Sequence, residues 1–307
     1  LYALYGDVRV VEAMFFGLKA AILAIVLQAV VRIGRRALKN DAMRLLAALS
    51  FVAIFAFDAP FPLIVLIAAL IGFLGARTGL RAFATGRSHG SVGSVHVDDA
   101  ETLLGEEMAE MPAATRRGAL AAGAAALVLW LGTVAALVLA VGPSNVFAEI
   151  ATFFSKMAVV TFGGAYAVLP YVYQGAVGHY GWLTPTQMID GLALGETTPG
   201  PLIMVVAFVA FVGAYGQPVF GGDSAFASGA LAACLVTWFT FLPSFLFILA
   251  GGPLVESTHG ELKFTAPLTG ITAAVVGVIL NLALFFGYHV LWPEGFAGTF
   301  DWVSALI

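Results

Sequence analysis

The chain has 307 residues, of which 61% are hydrophobic and 10% charged, and its mean hydropathy is +0.98. That balance excludes a water-soluble globular domain and points to a membrane protein. A formal net charge of −4 offers no basic surface for nucleic acid, and a lone cysteine, Cys234, excludes an internal disulfide or a thiolate metal cluster.

The opening residues, LYALYGDVRVVEAMFFG, hold neither an initiator Met nor a basic stretch before a short apolar run, so no signal peptide is read there. Apolar runs long enough to approach the bilayer thickness follow, built from helix formers and not from the alternation of a membrane barrel. Spans are expected at 10–33, 42–57, 61–76, 118–141, 146–177, 184–214, 225–250 and 266–290. Residues 78–117 are polar and rich in Gly and Ser, which makes them a linker between two parts. The fold class is therefore an all-α polytopic membrane protein.

The two parts share a repeat. GLKAAILAIVLQ from Gly17 and GITAAVVGVILN from Gly270 align with Gly17/Gly270, Ala20/Ala273, Ala21/Ala274 and Leu27/Leu280 identical, and Gln28 answered by Asn281. Asp41 before AMRLLAAL is likewise answered by Asp301 before WVSALI. Arg32, Arg35, Arg36, Lys39 and Arg44 put the loop after the first repeat helix in the cytoplasm, whereas GYHVLWPEGFAGTFD after the second has no Lys or Arg and belongs outside. An odd number of crossings between a cytoplasmic linker and that outer loop agrees, so the halves are expected in inverted orientation. On this reading residues 1–77 are the C-terminal part of a first half and 118–307 an incomplete second half, cut from a longer chain.

Two spans are interrupted. FFSKMAVVTFGGAYAVLP carries Gly163 and Gly164 in its middle, and LALGETTPGPLIMVV carries Thr197, Thr198, Pro199, Gly200 and Pro201. Freed amides and carbonyls cost several kcal/mol each in hydrocarbon, so broken backbone at that depth is tolerated where protein or a water-filled cavity surrounds it. Pro201 is expected in the first turn of the next helix, leaving that helix's free N–H groups and positive dipole end for an anion.

Charged residues inside the apolar runs complete the candidate set. Lys19 lies nine residues into the first span, about 14 Å at about 1.5 Å per residue. Lys156 is similarly deep, Glu149 shares its helix face seven residues earlier, and Asp190 and Glu196 fall in the second interrupted span. Such residues face a pathway or a partner. For the two lysines the competing reading is snorkelling, or an ion pair with Glu149 or Glu196. The histidines show no ligand spacing, so neither metal nor cofactor is expected, and the tryptophans are read mostly as interface anchors.

The stretch FFSKMAVVTFGGAYAVLPYV, followed by GHYGWLTPTQMIDGLALGETTPGPLIMVV, resembles the chromate ion transporter family in its long, two-half form. The resemblance is most specific between Lys156 and Pro201, and it places family motif positions on Phe162, Gly163, Gly164, Tyr166, Trp182, Asp190, Glu196, Thr198, Pro199, Gly200 and Pro201. It implies a multi-pass protein of the cell inner membrane that exports chromate on the proton motive force, with sulfate exchanged or competing, and it leaves a homodimer open. Lys156, Thr161, Phe162, Gly163, Gly164, Tyr166, Thr197 to Pro201 and Lys19 are the expected oxyanion-binding set, with Glu196 and Asp190 coupling protons. Ala207 stands where relatives often carry Gln. Two other classes stay open: an intramembrane enzyme with Glu196 or Asp190 as base, and a structural membrane subunit.

Overall fold

The computed structural model describes residue 2 and residues 8–78, 80, 113–161, 164–257 and 262–306. Phe162, Gly163, His89, His96, His259 and most of the polar linker lie outside the described residues. Among those described there are helices and no strand, as a chain that must satisfy its own backbone in lipid requires.

Helix α1 covers Arg9–Ala37, α2 Asp41–Phe57, α3 Phe61–Arg77 and α4 Ala113–Val141. The first interrupted span forms α5 (Val146–Val160) and α6 (Ala165–Tyr173), the latter running on as a wider turn at Gln174–His179. The second forms α7 (Pro185–Thr197) and α8 (Val205–Gly216), and the chain continues through α9 (Ala225–Ser257), α10 (Leu262–Leu291) and α11 (Trp302–Leu306). The starts are written locally. Asn40 and Asn145 accept the N–H of Met43 and Phe147, and Thr184 and Gln187 cap α7 reciprocally behind Pro185.

Four helices, in α1, α4, α9 and α10, are long and apolar enough to cross a bilayer. Leu45, Phe55, Leu66, Leu70, Val128 and Ile248 are exposed on the outer faces, the arrangement expected where the solvent is lipid. This is a multi-pass helical membrane protein.

Helix α10 is the hub. Of its most apolar window 61% is buried, against 11% for α4, and it packs against α1, α2, α3 and α6. Small residues make the approach close: Gly270 faces the Ala68 backbone of α3, and Gly277 the Ala47 and Phe51 backbone of α2. Gly34 faces Val276 and Gly287 faces Leu23, so α1 and α10 run antiparallel. On the other side α9 packs against α4, α5 and α8. Trp130 and Trp182 depart from the anchor role: both are buried, Trp130 donating to Ser155 Oγ at 2.8 Å and Trp182 stacking on Tyr180. The Ser155 hydroxyl and the neighbouring rings reward burial of an indole more than the interface does.

Candidate functional site

At the first break α5 stops at Val160. Thr161 turns to an extended conformation and its hydroxyl donates to the Met157 carbonyl at 2.6 Å. Gly164 then takes φ +101°, a region open to glycine, and caps α6, whose first N–H groups have no partner within their own helix.

At the second break Thr198 is extended and its N–H reaches the Leu194 carbonyl at 3.0 Å. Gly200 has φ +154°, with nothing within 4 Å of where a Cβ would stand. Pro201 stands one residue before the turn that follows, not inside it: its ψ is 124°, and a tight turn at Leu202–Met204 leads into α8. The ring fixes φ near −68° while ψ stays extended, so the helical start is carried past the proline.

The two breaks meet. Tyr166, in the first turn of α6, donates its hydroxyl to Glu196 Oε1 in the last turn of α7, and both side chains are half-buried. A cavity of about 280 Å³ opens beside the second break, lined by Gly191, Leu194, Thr198, Pro199, Gly200 and Pro201. Another, of about 400 Å³, lies at the first break between Thr161, Gly164, Ala165, Ile203, Thr240 and Ser244. Ile203 carries the wall of the second cavity back to the second break.

The charged residues sort differently from their positions in sequence. Lys19 Nζ lies 2.9 Å from Asp190 Oδ1, joining α1 to α7, and Tyr2 donates to Asp190 Oδ2 at 2.7 Å. Lys156 is exposed, lines neither cavity and makes no ion pair among the described residues. Glu149 accepts from Trp182 Nε1 at 3.4 Å, and Thr197 spends its hydroxyl on the Ala193 carbonyl at 2.8 Å. Among the described residues no group of His, Cys, Asp and Glu forms a metal site.

Three side chains were not singled out in the sequence. Thr240 and Ser244 form a polar i, i+4 pair in an otherwise apolar stretch of α9, a signal open to pattern reading. Tyr2 reaches a carboxylate 188 residues away, and no local pattern announces that.

The chromate transporter family model matches residues 1–73 and 148–307, a match that takes in both breaks and both repeat helices. The chain belongs to the chromate transporter family. It is 38% identical over 158 residues to the chromate transport protein of Pseudomonas aeruginosa, a match covering 51% of this chain and 34% of that one. To the chromate transport protein of Cupriavidus metallidurans it is 31% identical over 137 residues, 44% of this chain and 30% of that one. A probable chromate transport protein of Synechococcus elongatus is 26% identical over 148 residues, 48% of this chain and 34% of that one. Each match thus spans about a third of the relative's own length. No solved structure matches. The family is one of transporters, and these relatives are named as transport proteins.

Proposed function

We propose that the chain is part of a secondary transporter of tetrahedral oxyanions, with chromate as the principal cargo, exported from the cytoplasm across the inner membrane on the proton motive force. Sulfate, alike in charge and shape, exchanges or competes. The observation that carries this reading is the meeting of two helix breaks through Tyr166 and Glu196, with a cavity at each break. Half-helices that begin beside a cavity direct unpaired N–H groups and a positive dipole end into it, which suits an anion and asks for no metal.

In this mechanism Gly164 and Gly200 let the oxyanion approach bare backbone, and Thr161, Tyr166, Thr198, Pro199 and Pro201 shape the walls, with Phe162, Gly163 and Thr197 completing the motif. Lys156 supplies attraction from the exposed face of α5, and Lys19 from α1. Asp190 and Glu196, about one and two-thirds turns apart on α7, are the carboxylates through which protons couple. The antiparallel course of α1 and α10 supports the inverted arrangement of 1–77 and 118–307, and the names of the relatives support chromate.

The test is flux. The protein in proteoliposomes of inverted orientation should accumulate chromate when a proton motive force is imposed, and external sulfate should slow that uptake. Uptake no greater than in protein-free liposomes would reject the reading.

A further inference from the structure

Asp190 is 4% exposed, and its two oxygens are treated unequally. Oδ2 accepts a hydrogen bond from Tyr2, while Oδ1 lies 2.9 Å from the Lys19 ammonium, which is the cation that balances it. A buried charge is held where its partners satisfy it, and a carboxylate balanced by a single lysine releases that lysine when its charge is removed.

The pair lies one residue behind the wall of the cavity beside the second break. Gly191, the next residue, lines that cavity, and Asp190 lies about 40° around α7 from Leu194, which lines it too, at about 100° per residue. The Tyr2 ring packs edge-on against Phe208 with centroids 5.0 Å apart, and Phe208 is a further wall residue.

We infer that Lys19, Asp190 and Tyr2 form a charge-exchange element: proton uptake by Asp190 hands Lys19 to the oxyanion, so that proton and oxyanion bind together. The inference rests on the oxyanion reading above.

With Asp190 ionised, Lys19 and Asp190 sum to zero and Glu196 adds a negative charge on the same helix, so the cavity repels a dianion. The proton enters on Oδ1 as Lys19 leaves it, and forms an O–H bond there. Lys19 stays an ammonium and turns its N–H donors to the oxyanion oxygens, while Tyr2 keeps Oδ2 in place. When the oxyanion leaves, Lys19 returns to Asp190 and the proton departs. Among the described residues few titratable groups surround Asp190. Among the described residues Lys19 of α1 and Tyr2 before it are the side chains in polar contact with Asp190. The titratable residues of α8 and α10, Tyr215, Lys263, Tyr288 and His289, stand in the end turns of those helices, and Glu196 on α7 itself is engaged by Tyr166.

The sign of this linkage fixes the driving force. A dianion that travels with one proton carries net charge −1, so a potential negative inside drives its export, and a pH gradient acid outside opposes it. The electrical part of the proton motive force does the work.

Sulfate is the suitable probe because its charge does not change near neutral pH. Calorimetric titration of the purified full chain at constant ionic strength, in buffers of different ionisation heat, gives both affinity and protons exchanged. Wild-type affinity should rise as pH falls, towards about tenfold per pH unit for one linked proton, with net proton uptake. Asp190→Asn should bind sulfate more tightly than wild type at neutral pH and lose one proton's worth of pH dependence. The double variant Lys19→Met, Asp190→Asn removes both charges together and so avoids an unpaired buried ion; it should bind weakly at every pH. A wild-type affinity that is flat or falls with acidification overturns the inference, as does Asp190→Asn with wild-type dependence. Sulfate binding absent from the wild type at every pH removes the oxyanion reading itself.

Discussion

Replacing Gly277 with alanine adds one methyl group at the closest approach of α10 and α2. The new Cβ would stand 2.8 Å from the Phe51 nitrogen and 3.0 Å from the Ala47 carbonyl carbon, and closer still to the Ala47 oxygen. Comfortable contact between heavy atoms needs about 3.5–4.0 Å, and the Ala47 oxygen is the shortest approach, so the helices must part by roughly 1.5 Å. These are backbone atoms, which no side-chain rotation can move aside. Overpacking of this kind costs about 1–3 kcal/mol, and the rigid partner puts this site at the upper end. Alanine's better helix propensity returns roughly 1 kcal/mol, which leaves a net loss of about 2 kcal/mol. Gly17→Ala is the matched control, because nothing lies within 4 Å of its added methyl. Thermal unfolding in detergent should show Gly277→Ala well below wild type and Gly17→Ala equal to it or above. Equal midpoints for Gly277→Ala and wild type would refute the claimed contact between α10 and α2.

Further outcomes follow from the same structure. In a Cys234-free background a cysteine at Glu294 should be labelled from the periplasm, and labelling only from the cytoplasm would reject the inverted orientation. Asp301 is held below the usual carboxylate range, first by the Ser304 hydroxyl at 2.7 Å and then by the Ser304 and Val303 N–H groups. Its folded value is depressed, so its capping of α11 is complete above the ordinary carboxylate pKa and is lost as pH falls through the lowered one; hydrogen exchange at Val303 and Ser304 should accelerate only in that acid window, and Asp301→Ala should remove the dependence. Lys156→Met should slow oxyanion flux about two- to fivefold, the scale of one exposed charge, while Lys156→Arg retains it; identical rates for the Met variant and wild type would make the lysine a headgroup anchor.

The helices were legible because apolar runs and their punctuation are local, and four of them are long and apolar enough to cross a bilayer. Asn40, Asn145, Thr184 and the run Thr198 to Pro201 mark helix ends by their own chemistry, and α5 to α8 break where Gly and Pro interrupt them. Partners were not legible, since a pairing across 171 residues, as between Lys19 and Asp190, depends on how α1 lies against α7. By sequence position Lys19 falls with the anion and Asp190 with the proton, where the fold joins them. Trp130 reads as an anchor by residue type and is buried because Ser155 on a neighbouring helix receives its N–H.

The central claim is that an oxyanion passes the open backbone at the second break, and Gly200→Leu tests it most directly. Nothing lies within 4 Å of the position a Cβ would take there, so the new side chain projects into open space beside a cavity of about 280 Å³, and φ +154° disfavours it besides. The measurement is exchange of isotopically labelled sulfate across proteoliposomes at equilibrium, with the thermal midpoint taken on the same preparation. The account predicts an unchanged midpoint with exchange reduced to the level of protein-free liposomes. Wild-type exchange by Gly200→Leu would contradict it.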